Sequence, residues 1–116
     1  MAVLSSAIAS PRLLCSGTAT TTGTVYYTAP SNNSNVTSPS ATAYIKEIIL
    51  CNISASAATI SIAVNGNYII YGATVNAQDS KILTGLNTMI LAGSTIQLIC
   101  SATSALTFTM SGVEVQ

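Results

Sequence analysis

The sequence predicts an all-β fold, an antiparallel β-sandwich that is jelly-roll-like, with seven to eight short strands and an N-terminal arm. Three observations lead there. Apolar residues alternate with small polar ones in short runs: Ile60, Ile62 and Val64 fall on one face and Thr59, Ser61 and Ala63 on the other. That is the period of a strand with one covered face. Turn-forming residues punctuate the chain at intervals of roughly ten residues, as in sandwiches and barrels. No segment carries a convincing helical period. An immunoglobulin-like sandwich would have a similar strand count, but its Cys-Trp-Cys signature is absent because the chain has no Trp.

Length and composition bound the architecture. A chain of 116 residues is enough for one core and too short for a second independent unit. The expected organisation is an arm with a first short strand over residues 1–16, followed by a single sandwich domain over 17–116. Charged residues make up only 5% of the chain, against about 25% in ordinary globular proteins. Arg12, Lys46 and Lys81 balance Glu47, Asp79 and Glu114, so neither steering nor self-repulsion keeps the protein dispersed. Such a surface suits a chain that is rarely alone.

Taken in order, residues 1–16 are apolar with small interruptions, and Pro11 argues against a continuous central strand, leaving a short strand near Arg12–Ser16. The hydroxyl-rich run 16–23 reads as a turn or exposed edge, and Thr24–Thr28 as a strand stopped by Pro30. Residues 31–42, rich in Asn and Ser, form the long loop, either a partner contact or a tolerated surface insertion. Ile45–Cys51 is apolar on both alternating faces apart from Lys46 and Glu47, which implies a strand covered on both sides or set against a neighbouring subunit. Asn65-Gly66 is the strongest hairpin signal, because both central positions of a type I′ turn need positive φ. Asn67–Tyr71 should therefore pair back onto 59–64. A connection over 72–80, short strands at 81–84 and 86–91, and half-buried strands at 95–101 and 106–110 follow. Gly112 interrupts the last alternation, and Val113 and Val115 take over its apolar phase, the mark of a β-bulge or bend.

Chemistry is sparse. The chain has no His, and its three carboxylates are distant in sequence, so no acid/base pair, nucleophile triad or phosphate-cradling loop is assembled and no enzyme activity is expected. Asn76, Gln78 and Asp79 form a thin oxygen cluster better read as a solvated turn than as a calcium loop. No cofactor or metal and no small-molecule substrate is expected. Three scattered cations do not suit nucleic acid, and the apolar runs are shorter than the ~20 residues of a membrane helix. The N-terminus lacks the basic region of a signal peptide, and Leu14 before Cys15 departs from a lipobox. Cys15, Cys51 and Cys100 give no metal pair and read as free buried thiols, with a Cys51–Cys100 bridge left open by spacing. Three Asn-X-Ser/Thr sequons, the last at Asn52, reflect Asn and Ser abundance. Of the five tyrosines, core or interface packing is the default role and a sugar-binding face the alternative.

Four stretches together resemble small virion structural proteins of tailed bacteriophages: Tyr44–Asn52 with the linker Ser54–Ala58, Thr59–Gly66, Leu91–Gln97 and Thr109–Glu114. The likeness runs over about residues 24–115. It implies a non-enzymatic β-sandwich subunit of the capsid decoration or cement type, made in the host cytoplasm and seated on the virion exterior. The implied partners are the major capsid protein and further copies of the chain, as a homotrimer. A tail, neck or fibre component is the alternative, and a carbohydrate-binding module for host attachment, using the tyrosines and the 31–42 loop, is a third reading. The residues expected at interfaces are Val3, Leu4, Ile8, Leu13 and Leu14 of the arm, together with Thr59, Ser61 and Ala63 on the flat strand face.

Overall fold

The computed structural model describes residues 9–30 and 41–115. These form nine strands and no helix: β1 (Ala9–Thr18), β2 (Thr24–Thr28), β3 (Ala41–Asn52), β4 (Ala58–Val64), β5 (Asn67–Val75), β6 (Ser80–Leu83), β7 (Thr88–Leu91), β8 (Thr95–Cys100) and β9 (Leu106–Val115). One sheet runs β1-β9-β3-β6, with β7 also on β3, and the other runs β2-β8-β4-β5. Every pairing is antiparallel. β6 and β7 pair with opposite halves of β3 and act as one interrupted strand, which accounts for nine strands where seven to eight are expected. Counted so, the order is that of an eight-stranded jelly roll.

The core lies between the sheets. Ile48 and Leu50 of β3, Ile60 and Ile62 of β4, Ile96 and Leu98 of β8, and Leu106, Phe108 and Met110 of β9 are buried. Their alternation with half-exposed neighbours is the one read from sequence, and each such side chain contributes roughly 1.5–3 kcal/mol on burial. The β4–β5 hairpin closes at Asn65 (φ 51°) and Gly66 (φ 82°), both positive as the type I′ turn requires. β5 runs on through Gly72 to Val75, so part of the expected connection is strand.

Register shifts decide where side chains point. In β3 the register with β9 shifts between Ile45 and Glu47. Before the shift Ala43 and Ile45 are buried; after it Ile48, Leu50 and Asn52 are. The strand is therefore not covered on both sides. A change of phase puts odd and then even positions on one face, and that produces the two-sided apolar pattern. A second bulge, between Leu13 and Cys15, turns both Leu14 and Cys15 inward. β9 itself keeps its phase: Gly112 and Glu114 continue the inward series, and Val113 faces outward. The expected bulge at Gly112 thus sits in the two flanking strands. Gly112 is needed there because an added Cβ would stand 1.9 Å from the Tyr44 carbonyl oxygen. Further shifts lie in β3 at Thr42 opposite β7, in β2 at Tyr26, and twice in β5, between Ala73 and Ile70 and at Ile69.

β1 pairs with β9 from Ala9 to Thr18, longer than the short strand expected near Arg12–Ser16, so a boundary at residue 16 falls inside it. Pro11 is tolerated because β1 is an edge strand. Each edge is interrupted: β1 by Pro11 and its bulge, β2 and β5 by bulges, and the far edge of the first sheet by the break between β6 and β7. Such interruptions discourage edge-to-edge pairing with another sheet.

Candidate interaction surface

The outward face of the β1-β9-β3-β6/β7 sheet is built from three levels in register, one apolar and two of mixed character. At one level Pro11, Val113, Tyr44 and Met89 stand in register across β1, β9, β3 and β7. At another, Ser16, Thr109, Ile49 and Ile82 align across β1, β9, β3 and β6. Between them lie Leu13, Ser111 and Glu47. Leu13 is 56% exposed, Ile82 59% and Met89 60%, well above what a core-facing apolar side chain shows. Lys46, pushed out by the bulge, donates to Asn87 Oδ1 and lies 5.7 Å over the Tyr44 ring. Cys51, half-buried, follows Ile49 on this face.

The opposite sheet shows a different exterior. Thr59, Ser61 and Ala63 of β4 lie on it as expected, with the Thr59 main chain and the Ser61 hydroxyl already engaged. The Thr59 N–H donates to Ser101 Oγ at 2.9 Å, and Ser61 Oγ accepts the Gly72 N–H at 3.0 Å. Ala63 is only 6% exposed, enclosed between Tyr68 of β5 and Gln97 of β8, so it offers almost no surface. Tyr68 (51% exposed) and Tyr71 (78%) project from β5 and meet edge to face, ring centroids 4.9 Å apart. Tyr26 behaves as a packing residue: it lies edge-on to Phe108 at 4.7 Å and donates to the Thr18 carbonyl at 2.8 Å.

Of the expected arm contacts, Val3, Leu4 and Ile8 lie outside the described residues. Leu13 is presented to solvent. Leu14 is not: the bulge turns it into the core at 8% exposure, which removes it from any contact surface.

Two polar arrangements inside the sandwich escaped sequence reasoning. Glu114 is buried on the inward face of β9, where Arg12 of β1 pairs with it at 2.9 Å and the Tyr27 hydroxyl of β2 donates to its second oxygen. The cluster ties one sheet to the other. Burial, the hydrogen bond to Glu114 and that carboxylate's charge hold the Tyr27 phenol above its ordinary value of 10.0, with Arg12 opposing. Burial alone pushes the Cys15 thiol from 9.0 to about 11. The sequence signal was an acidic residue inside an apolar strand, with aromatic and basic residues in strands that only the topology brings near.

The second is Asn52. Its Nδ2 donates to the Ser56 and Val75 carbonyls at 2.8 and 3.0 Å, and its Oδ1 accepts from the Ser54 N–H and hydroxyl at 2.9 and 2.7 Å. The Asn-X-Ser spacing marks a side chain organising its own turn, here the one between β3 and β4. All three cysteines are free, with Cys15 and Cys100 buried. Among the described residues no three His, Cys, Asp or Glu side chains gather as metal ligands do. In the 76–79 turn the Asp79 carboxylate accepts the Ser80 N–H at 2.8 Å. No family model matches the chain, and no curated protein matches it.

Proposed function

We propose that this chain is a non-enzymatic virion structural protein, a decoration or cement subunit of a tailed bacteriophage head that acts through surface contacts with the capsid lattice and with its own copies. The observation that carries this reading is the apolar exterior of the β1-β9-β3-β6/β7 sheet. Large side chains at Leu13, Ile82 and Met89 are more than half exposed on a chain with only 5% charged residues. Large apolar side chains exposed together on one sheet face suit an interaction surface. The jelly-roll order suits the role, since viral capsid domains use it among other proteins, and the four stretches that resemble phage virion proteins fall on β3, β4, β7 to β8 and β9.

Quantitative mass spectrometry of fractionated virions tests it. Copies comparable in number with the major capsid protein, recovered with heads, are expected. Recovery with tails alone would move the chain to the tail, neck or fibre reading. A second reading, host-glycan binding, is favoured by one feature, the solvent-facing Tyr68–Tyr71 pair, because exposed aromatic faces suit stacking on apolar sugar surfaces. Glycan-array binding that disappears in Tyr71→Ala would support that reading, and a flat array would dismiss it.

A further inference from the structure

We infer that the outward face of the β2-β8-β4-β5 sheet carries a binding site for a neutral saccharide, with Tyr68 and Tyr71 as its wall and Ser61, Ala63 and Gln97 as its shelf. The inference rests on the host-glycan reading and narrows it to one place and one ligand class. The capsid contact, on the opposite sheet, does not depend on it.

The place follows from two register shifts in β5. One leaves Ile69 without a partner between Ile70, opposite Ile62, and Tyr68, opposite Ala63. The other sets Tyr71 and Gly72 together against Ser61. In a regular strand, residues three apart lie on opposite faces. Here Tyr68 and Tyr71 project from the same face and meet edge to face, ring centroids 4.9 Å apart, so that one ring braces the other. Beside them Ala63 sits low between Tyr68 and Gln97, its neighbours in register on β5 and β8. The shelf spans two strand spacings, about 10 Å, and two outward levels about 7 Å apart, room for a sugar ring next to the tyrosines.

The ligand class follows from charge and from unused hydrogen-bonding capacity. Every charged residue lies outside this sheet: Arg12, Lys46, Glu47, Lys81 and Glu114 are in strands of the other, and Asp79 is in the turn before β6. A carboxylate or sulfate would find no cation here, and nucleic acid none of the basic groups its backbone needs. The polar atoms present are neutral and partly free. Gln97 Nε2 donates to the Gly23 carbonyl at 3.2 Å, leaving Oε1 to accept. Ser61 Oγ accepts the Gly72 N–H at 3.0 Å, leaving its proton to donate. A sugar uses both kinds of contact, its C–H face on an aromatic ring and its hydroxyls on a donor and an acceptor. A purely apolar occupant would bury those atoms unpaired, and the shifts in β5 disfavour a strand added at that edge.

The full chain, applied to an array of neutral hexose oligosaccharides printed beside uronate- and sialate-bearing ones, tests the inference. Binding to neutral members is expected, unchanged between about 50 and 500 mM salt because no ion pair contributes. Tyr71→Ala, at a side chain exposed enough to leave the fold intact by circular dichroism, should weaken it roughly tenfold or more, and Tyr71→Phe should keep it within about threefold. Gln97→Leu should weaken it roughly fivefold, and Met89→Ala, on the other sheet, should leave it unchanged. Binding confined to acidic glycans overturns the inference and leaves the host-glycan reading in place, whereas a flat array removes both. Neutral binding that survives Tyr71→Ala or Gln97→Leu, or is lost in Met89→Ala, also overturns it. So does self-association in sedimentation velocity that Tyr71→Ala abolishes, which would make a second copy the occupant.

Discussion

The two exteriors of this sandwich are made from similar alternating strands, yet one carries exposed apolar side chains across strands at several levels and the other has small residues along its central strand β4, with Val25, Tyr68, Ile69 and Tyr71 exposed on its edge strands. The difference lies in where the bulges fall. In the β1-β9-β3-β6/β7 sheet they sit in β1 and in the central strand β3, flanking Gly112, and they eject Lys46 while keeping every large aliphatic of β3's inner phase in the core. In the other sheet they are confined to the edge strands β2 and β5, so the central strands β4 and β8 keep one phase from end to end. A bulge in the middle of a sheet redistributes what both faces present. At an edge it alters mainly the margin, here the stretch of β5 that carries the exposed Tyr68 and Tyr71.

Disturbing the first sheet's bulges should therefore be far more costly than disturbing the second sheet's margin. Gly112→Ala places a methyl 1.9 Å from a backbone oxygen and 3.1 Å from Leu14 Cδ1. It should cost roughly 3 kcal/mol or more by chemical denaturation. Gly23→Ala, whose nearest neighbours would stand at 3.7–3.9 Å, should leave stability within about 0.5 kcal/mol. Comparable losses from the two would remove the special role assigned to the close approach at Gly112.

Asn52→Ala strips four hydrogen bonds from a buried turn and should cost about 2–3 kcal/mol, read as a lower denaturation midpoint with an unchanged slope. Tyr27→Phe removes the one side-chain hydrogen bond described between Glu114 and the opposite sheet and should cost about 1–2 kcal/mol. The smallest effect belongs to the margin: Tyr71→Ser, at a side chain that is mostly solvated, should change stability by no more than about 0.5 kcal/mol.

Alkali should loosen the Glu114 end of the sandwich. Tyr27 and Cys15 both titrate higher in the folded chain than in the unfolded one. The stability they contribute is complete below the unfolded values of 9.0 and 10.0 and declines as pH rises, for Cys15 between 9.0 and about 11. Thermal melts should therefore be flat in these groups up to about pH 9 and fall above it. Cys15→Ala should flatten the first part of that decline.

Strand existence was largely legible in the residues. Ile96, Leu98 and Cys100, and then Leu106, Phe108 and Met110, alternate in sequence and are buried in the fold, and Asn65-Gly66 announced its turn. What the sequence concealed was phase. A bulge adds a residue without a compositional mark, so Ile45 and Ile48 read as occupants of opposite faces when they share one, and Leu14 read as available when it is enclosed. Pro11 looked like an end to regular structure because nothing local says that a strand will lie at an edge. The interaction surface was harder still. Of the residues expected at interfaces only Leu13 stands on the apolar exterior of the first sheet; the other large side chains there come from separate strands, whose adjacency exists only once the sheet order is known.

Cys51 gives the first sheet's exterior a use in the laboratory. Its neighbours in sequence type, Cys15 and Cys100, are enclosed, whereas Cys51 is half-open on that face beside Ile49. Reactivity follows thiolate access, so a maleimide fluorophore added to the native protein should attach there first. The chain thus supplies its own reporter, whose emission would register anything that settles on that side of the molecule, whether another copy, a shell of coat protein or nothing at all.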